Sequence, residues 1–499
     1  MKLPVAPVAL LAILLSACSQ VTPPVARPSL QVGLSVDNAC TSHVQSSPAQ
    51  LAACIKLASL WSYLSHFQSI ADENPVDGHG KRDTGTPGYK ASVEYVASLM
   101  SRAGYKVTIQ HYRYKIPRLY GTPEFRTASR SYALEREWYV ARGSGSGTLT
   151  AAIEAPRGSG CSGSDFAGFM RGRVALLERG ACAAETQVTN AQAAGAAAIV
   201  LYAQQSTLTN VRLTDPATVP VIGDASSVVG AELLQQYRSG VAPLVHIDVR
   251  THATYGVDAN LIADSPYGNP QRTVVIEGHL DSIFGAGMLD NASGSTTILD
   301  VALNMAKTPT RNHLRYVWFG GEEIGLLGSR YYTKNLTPQQ RRAIVFDVDV
   351  DVTATPNFDI LIADPARAYN VKRFPSNVVS DSKVGNDDFF RYFTAGGIIS
   401  RPARFGNDGT DSNSFSLAGI PNTGILTNQD CCKHVWEAAL WGGFLGNYEG
   451  TIPSFNGGCV DYPHRWCDNL SNNDPFVFEM VSKAVAYVTF ELANDPRIP

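Results

Sequence analysis

Within residues 51–67 the apolar positions Leu57, Leu60, Trp61, Leu64 and Phe67 recur three and four residues apart. That is the stripe of an amphipathic helix. Gly85-Thr86-Pro87-Gly88 reads as a turn. A second helix is predicted over 92–103, with Val93, Val96, Ala97 and Met100 on one face and Gly104 as its stop. Residues 105–116 alternate apolar and polar, the period of a strand. Helix, glycine stop and strand is α/β grammar. The glycine-serine seam at 142–147 interrupts it, and the character differs up to about residue 252. There the pattern predicts a buried strand over 173–178, an alanine-rich helix over 185–198, and strands at 199–202 and 219–223. From residue 260 the first grammar resumes. Strands are predicted at 273–277, 315–319 and 343–352, and helices at 295–306, 326–335 and 477–491. The outer segments, 49–140 and 253–499, are thus expected to form one discontinuous α/β domain. Residues 141–252 are expected to be its insert.

The start of the chain reads differently. Residues 5–15 are apolar but too short for a bilayer span, which takes ~20 residues. They fit the apolar core of an export signal over 1–17. The run ends in Leu15-Ser16-Ala17-Cys18, which resembles a bacterial lipobox and marks Cys18 as the expected lipid attachment point. The remaining 18–48, rich in Pro, Ser and Val, read as a tether. Export to the cell envelope or beyond, with lipid as the only membrane anchor, is the expectation. Lysine and arginine number 41 against 44 acidic residues, a net charge of −3. That balance offers no electrostatic reason to expect a nucleic-acid partner. The eight cysteines besides Cys18 suit an oxidising compartment. Short loop closure favours Cys40–Cys54, Cys161–Cys182 and Cys459–Cys467. Cys431 and Cys432 are either a vicinal disulfide or two free thiols.

No HExxH, GxSxG or P-loop pattern is present. Candidate chemistry lies instead in five places after residue 260. Gly278-His279-Leu280-Asp281-Ser282 follows a strand, where open α/β sheets place sites. His279 can ligate a metal while Asp281 takes the proton of the other ring nitrogen. Asp290 precedes small residues that enter a helix, and its two oxygens could bridge two cations. Glu322 and Glu323 are adjacent carboxylates at the end of an apolar strand, a costly arrangement without compensating cations. One of them can bind metal while its neighbour handles a water proton. Asp347, Asp349 and Asp351 alternate along one strand, which puts them on one face. His464 lies within the expected Cys459–Cys467 loop. Two histidines, three acidic ligands and a spare glutamate suit two Zn²⁺ ions.

In this order the motifs GHLDS, LDNASG, GGEEIGLLGS, the Asp-rich strand and a late His before Cys-Asp resemble the M28 family of di-zinc aminopeptidases. Lys81-Arg82-Asp83-Thr84-Gly85-Thr86-Pro87-Gly88-Tyr89 resembles an early segment of that family. The stretch GRVALLERGAC, then NAQAAGAAAIVLY, then VPVIG resembles a protease-associated domain. The resemblance implies an α/β fold with a mixed β-sheet flanked by helices, zinc-exopeptidase-like, and a mainly-β protease-associated insert. It implies His279 and Asp351 on one zinc, Glu323 and His464 on the other, and Asp290 between them. Asp351 is preferred to Asp349 for this role. Glu322 would be the general base, and Asp281 would orient His279. Tyr462 and Asp411 would lie near substrate, although Pro463 and the residues before Asp411 depart from the family pattern. Leu289 stands where the family often has an acidic residue. The implied activity is release of N-terminal residues from peptides with a free N-terminus. The alternatives are a carboxypeptidase or dipeptidase with the same centre, and an inactive surface receptor.

Overall fold

Ser47 accepts the Gln50 backbone N–H and starts a short helix, Pro48–Cys54. Ile55 is extended, so the predicted stripe breaks there and restarts as Leu57–Glu73. The computed structural model describes residues 40–498 except 77, 135, 204–210, 212, 214, 284, 369, 404–409, 430–432 and 450–467. The expected tether therefore gives way to structure by Cys40, which is bonded to Cys54. The Gln45 N–H, donating to Thr308 Oγ1 at 2.9 Å, ties this stretch to the main body. The turn at 85–88 is a helix start. Thr86 caps Pro87–Ala103, Pro87 occupies the first turn, and Gly104 closes it in the left-handed region.

An eight-stranded mixed sheet organises the outer segments. In spatial order its strands are Arg401–Ala403, Leu361–Ala363, Asn422–Leu426, Ile344–Val350, Asn269–His279, Asn312–Phe319, Thr251–Asp264 and Lys106–Leu119. The four central strands, from Asn422–Leu426 to Asn312–Phe319, run parallel. The helix Gly294–Met305 is buried along its whole length, as its apolar and small residues on every side require. It packs with Leu57–Glu73 and Pro475–Asn494 on one face of the sheet.

Lys106–Leu119 and Thr251–Asp264 pair antiparallel over 14 residues each. This ribbon leads out to the insert and back. The insert has its own seven-stranded sheet, ordered Glu124–Thr127, Leu244–Val249, Gly147–Glu154, Val174–Glu178, Ala198–Tyr202, Val221–Ala225 and Trp138–Val140. Two of these strands precede residue 141, so the sheet recruits chain ahead of the expected boundary. Trp138 explains why: it is 1% exposed, in the insert's own apolar core with Phe125 and Ile222. The alanine-rich helix is shorter than predicted, Ala184–Ala194, because Gly195 takes a left-handed conformation and frees Ala198–Tyr202 as a fully buried strand. Cys161–Cys182 is bonded within the insert. Cys431, Cys432, Cys459 and Cys467 lie outside the described residues, as does Cys18.

Asp300 is an exception to the apolar packing of Gly294–Met305. It is 2% exposed, its Oδ2 has no hydrogen-bond partner among the described residues, and burial pushes its carboxyl up to about 8. An unfolded Asp titrates near ~4. Between those values the native state holds a proton that the unfolded chain lacks, so stability falls as pH rises. Asp300→Asn should remove up to about 1.4 kcal/mol per pH unit of that slope. Urea midpoints measured between about pH 5 and about pH 8 check this, and an unchanged slope contradicts it.

Candidate metal centre

The parallel strands Asn269–His279 and Ile344–Val350 end side by side, with Glu277 opposite Asp349 in register. His279 is the last residue of the first strand. Asp351 is the first residue beyond the second, with its N–H still donating to the Ile425 carbonyl of the neighbouring strand at 3.2 Å. The next residue, Val352, has a φ of 53°, a left-handed conformation that a β-branched residue seldom adopts. Its N–H donates to Asn291 Oδ1 at 3.1 Å and its carbonyl accepts the Thr427 N–H at 2.8 Å. Local strain of this kind costs about 1–3 kcal/mol and persists where the surroundings over-determine it.

That turn brings Asp351 to His279. The imidazole Nε2 lies 3.4 Å from Asp351 Oδ1 and 3.0 Å from Asp290 Oδ1. One donor atom from each of the three residues falls within 4.8 Å of the others, and all three side chains are buried. Among the described residues, neither His279 Nε2 nor Asp351 Oδ1 has a partner in hydrogen-bond geometry. Burial pushes His279 down, but the neighbouring carboxylates of Asp351, Asp281 and Asp290 outweigh this and hold it well above its ordinary value. Burial pushes the Asp351 carboxyl up to about 7. A nitrogen and two carboxylate oxygens facing one another, shielded from water, suit a divalent cation with N and O donors. The donor set therefore fits zinc.

Asp281 acts differently from the expectation. His279 Nδ1 lies 3.0 Å from the Asp281 backbone carbonyl and 3.6 Å from its carboxylate Oδ1. The carboxylate instead accepts the Glu322 backbone N–H at 3.2 Å and the Thr84 hydroxyl at 2.8 Å. Asp281 thus orients the histidine through its backbone and holds the Glu322 turn through its side chain. Glu322 and Glu323 are buried at that turn, just beyond Phe319, which pairs with His279 across the sheet. Asp349 is engaged elsewhere: its Oδ2 accepts the Thr410 hydroxyl at 2.8 Å and the Ser412 N–H at 3.1 Å. Asp351, not Asp349, joins the cluster. Asp411 is buried at the start of the helix Ser412–Ala418. Burial, then the charge of Glu322, pushes its carboxyl well above the usual range. His464 and Tyr462 lie outside the described residues.

Three contributors escaped the sequence reading. Thr84 supports Asp281, and Asn291 ties the Asp290 turn to the strand end by donating to the Val350 carbonyl at 2.9 Å. Arg82 packs beneath the loop between His279 and Asp290. Thr84 and Arg82 both sit in the segment 81–89 singled out above, which was the available signal.

Comparison with known proteins bears on these residues. Residues 260–489 match the model of Peptidase family M28, and residues 145–231 match the PA domain. An aminopeptidase of Pseudomonas aeruginosa is 29% identical over 480 residues, covering 91% of this chain and 84% of its own. A probable lipoprotein aminopeptidase, LpqL, of Mycobacterium tuberculosis is 28% identical over 449 residues, covering 88% and 85%. The fold is similar to that of an aminopeptidase from Aneurinibacillus sp. strain AM-1, with a TM-score of 0.67 and 19% identity over 91% of this chain and 98% of that one. It is also similar to a zinc aminopeptidase from Bacillus subtilis, with a TM-score of 0.56 and 20% identity over 89% and 97%.

Thr84→Val removes the hydroxyl from Asp281 and leaves a buried carboxylate oxygen short of a donor. It should cost about 1–3 kcal/mol of stability, measured by chemical denaturation. A loss below the error of that measurement would show that the contact is dispensable.

Proposed function

We propose, for a chain that belongs to peptidase family M28 and carries a PA domain, that it is an exported zinc aminopeptidase with two metal ions. The observation that carries this reading is the convergence of His279 Nε2 with the Asp290 and Asp351 carboxylates at adjacent strand ends, beside the Glu322 turn. His279 and Asp351 would hold one zinc, Glu323 and His464 the other, and Asp290 both. Bound zinc would supply a Lewis acid for the scissile carbonyl and a lower pKa for the attacking water.

Glu322 is the general base in this proposal. It takes the proton of the attacking water and delivers it to the leaving amine. Asp281 keeps that turn in place by accepting the Glu322 N–H. Asp411, buried near Glu322, would face the substrate side of the site.

The names of the relatives support peptides with a free N-terminus as substrates. The mycobacterial relative's name also supports lipid attachment, here at Cys18. No described helix is long and apolar enough to cross a membrane.

The deciding experiment is a panel of aminoacyl peptides with free or blocked N-termini, assayed with and without chelator. Hydrolysis of free-amine substrates alone, lost on chelation and restored by zinc, is expected. Preference for blocked substrates cut at the C-terminus would replace this reading with a carboxypeptidase. Inactivity of a fully zinc-loaded protein towards the whole panel would favour a binding role.

Glu322→Ala should lower turnover by about 10²–10⁴-fold with zinc still bound, as metal analysis of the dialysed protein will show. Asp351→Asn should lose zinc on dialysis, whereas Asp349→Asn should retain it. The reverse pattern would reassign the ligand.

A further inference from the structure

One buried carboxylate against the ligand loop has no part in the proposed chemistry. Asp468 Oδ1 accepts the Leu289 N–H at 2.7 Å, and its Oδ2 accepts the Asp290 N–H at 3.0 Å. The Met288 N–H donates to the Asp468 backbone carbonyl at 3.4 Å. Asp468 is 3% exposed, so water does not compete for these bonds. Two successive N–H groups on one carboxylate fix the peptide plane between Leu289 and Asp290, and with it the direction in which Asp290 leaves the backbone. The opposite side of the loop is held by Arg82, 0% exposed, which donates to the carbonyls of Leu280, Ala286 and Gly287 at 2.7–2.8 Å. The loop between the two candidate ligands His279 and Asp290 is thus gripped on its carbonyls by an N-terminal residue and on its N–H groups by a C-terminal one.

We propose that Asp468 is a positioning residue for Asp290, setting metal affinity by holding that carboxylate 3.0 Å from His279 Nε2. The proposal rests on the reading of His279, Asp290 and Asp351 as zinc ligands. Asp468 follows His464 by four residues in the sequence.

The test compares the full-length protein with Asp468→Asn and Asp474→Asn. Asp474 serves as the structural control. Its Oδ1 also accepts two backbone N–H groups, but those of Phe476 and Val477 at the start of the helix Pro475–Asn494. Zinc affinity is read by competition with a chelator, and ligand geometry by the visible absorption of the Co²⁺-substituted protein. Asp468→Asn should weaken zinc binding by about 10–100-fold, the usual cost of losing a partner behind a ligand, and should alter the Co²⁺ spectrum. Asp474→Asn should lower the melting temperature while keeping the parent's zinc affinity and spectrum. If Asp468→Asn does not fold, Asp468→Glu takes its place. It keeps the charge but moves both oxygens by one methylene, and a weakened zinc affinity is again expected. Parent-like affinity and spectrum in the Asp468 variant would overturn the proposal while leaving the zinc reading intact. An equal loss of affinity in Asp474→Asn would overturn it too, by tracing the effect to general stability. Failure of the parent itself to bind zinc would defeat the zinc reading, and this proposal with it.

Discussion

Carboxylates do not sit in an apolar interior without compensation, and this chain buries Glu277, Asp347, Asp349, Asp351 and Asp411 together near two strand ends. Much of the surrounding structure answers that demand. Thr410 and the Ser412 N–H satisfy one oxygen of Asp349. Where the described residues offer no such donor, as at Glu277 and Asp347, burial drives the carboxyl well above its ordinary range. At the convergence of His279, Asp290 and Asp351 the same demand takes a form that a divalent cation relieves.

Topology makes that convergence possible. Parallel strands bring their C-terminal ends to one edge of the sheet, and loops leaving that edge meet above it. The loops are then fixed from outside the sheet. Arg82 and Thr84 come from the segment before the helix Pro87–Ala103, and Asp468 from the segment before the last helix. The site therefore depends on parts of the chain almost 400 residues apart. The insert leaves this arrangement undisturbed because it departs and returns along neighbouring strands of one ribbon. Its exposed contact with the main body, Arg330 to Asp215 at 2.8 Å, is of a kind worth little on its own.

Residue type and local spacing made much of this legible. Gly104 ends its helix as expected because only glycine accepts a left-handed stop at little cost, and Gly195 offered the same signal inside a helix that was expected to run to 198. The strands before His279 and before Glu322 read as apolar runs because both faces are covered. Other features did not read locally. Ile55 lies inside a continuous helical stripe, yet the chain turns there. Trp138 lies ahead of the glycine-serine seam, yet packs in the insert.

By itself the sequence determined which residues could carry chemistry and that the α/β domain is interrupted, since burial pattern and ligand chemistry are properties of short stretches. Tertiary structure brought Asp351 rather than Asp349 to His279, the choice that the family resemblance had favoured. Period-two alternation treats the two alike, and the end of the strand at Val350 followed by the turn at Val352 separates them. It also decided that the Asp281 carboxylate serves Glu322 and Thr84 instead of the histidine ring, and that Asp468 holds Asp290. Those partners are set by distances between segments far apart in the chain, which no local pattern encodes.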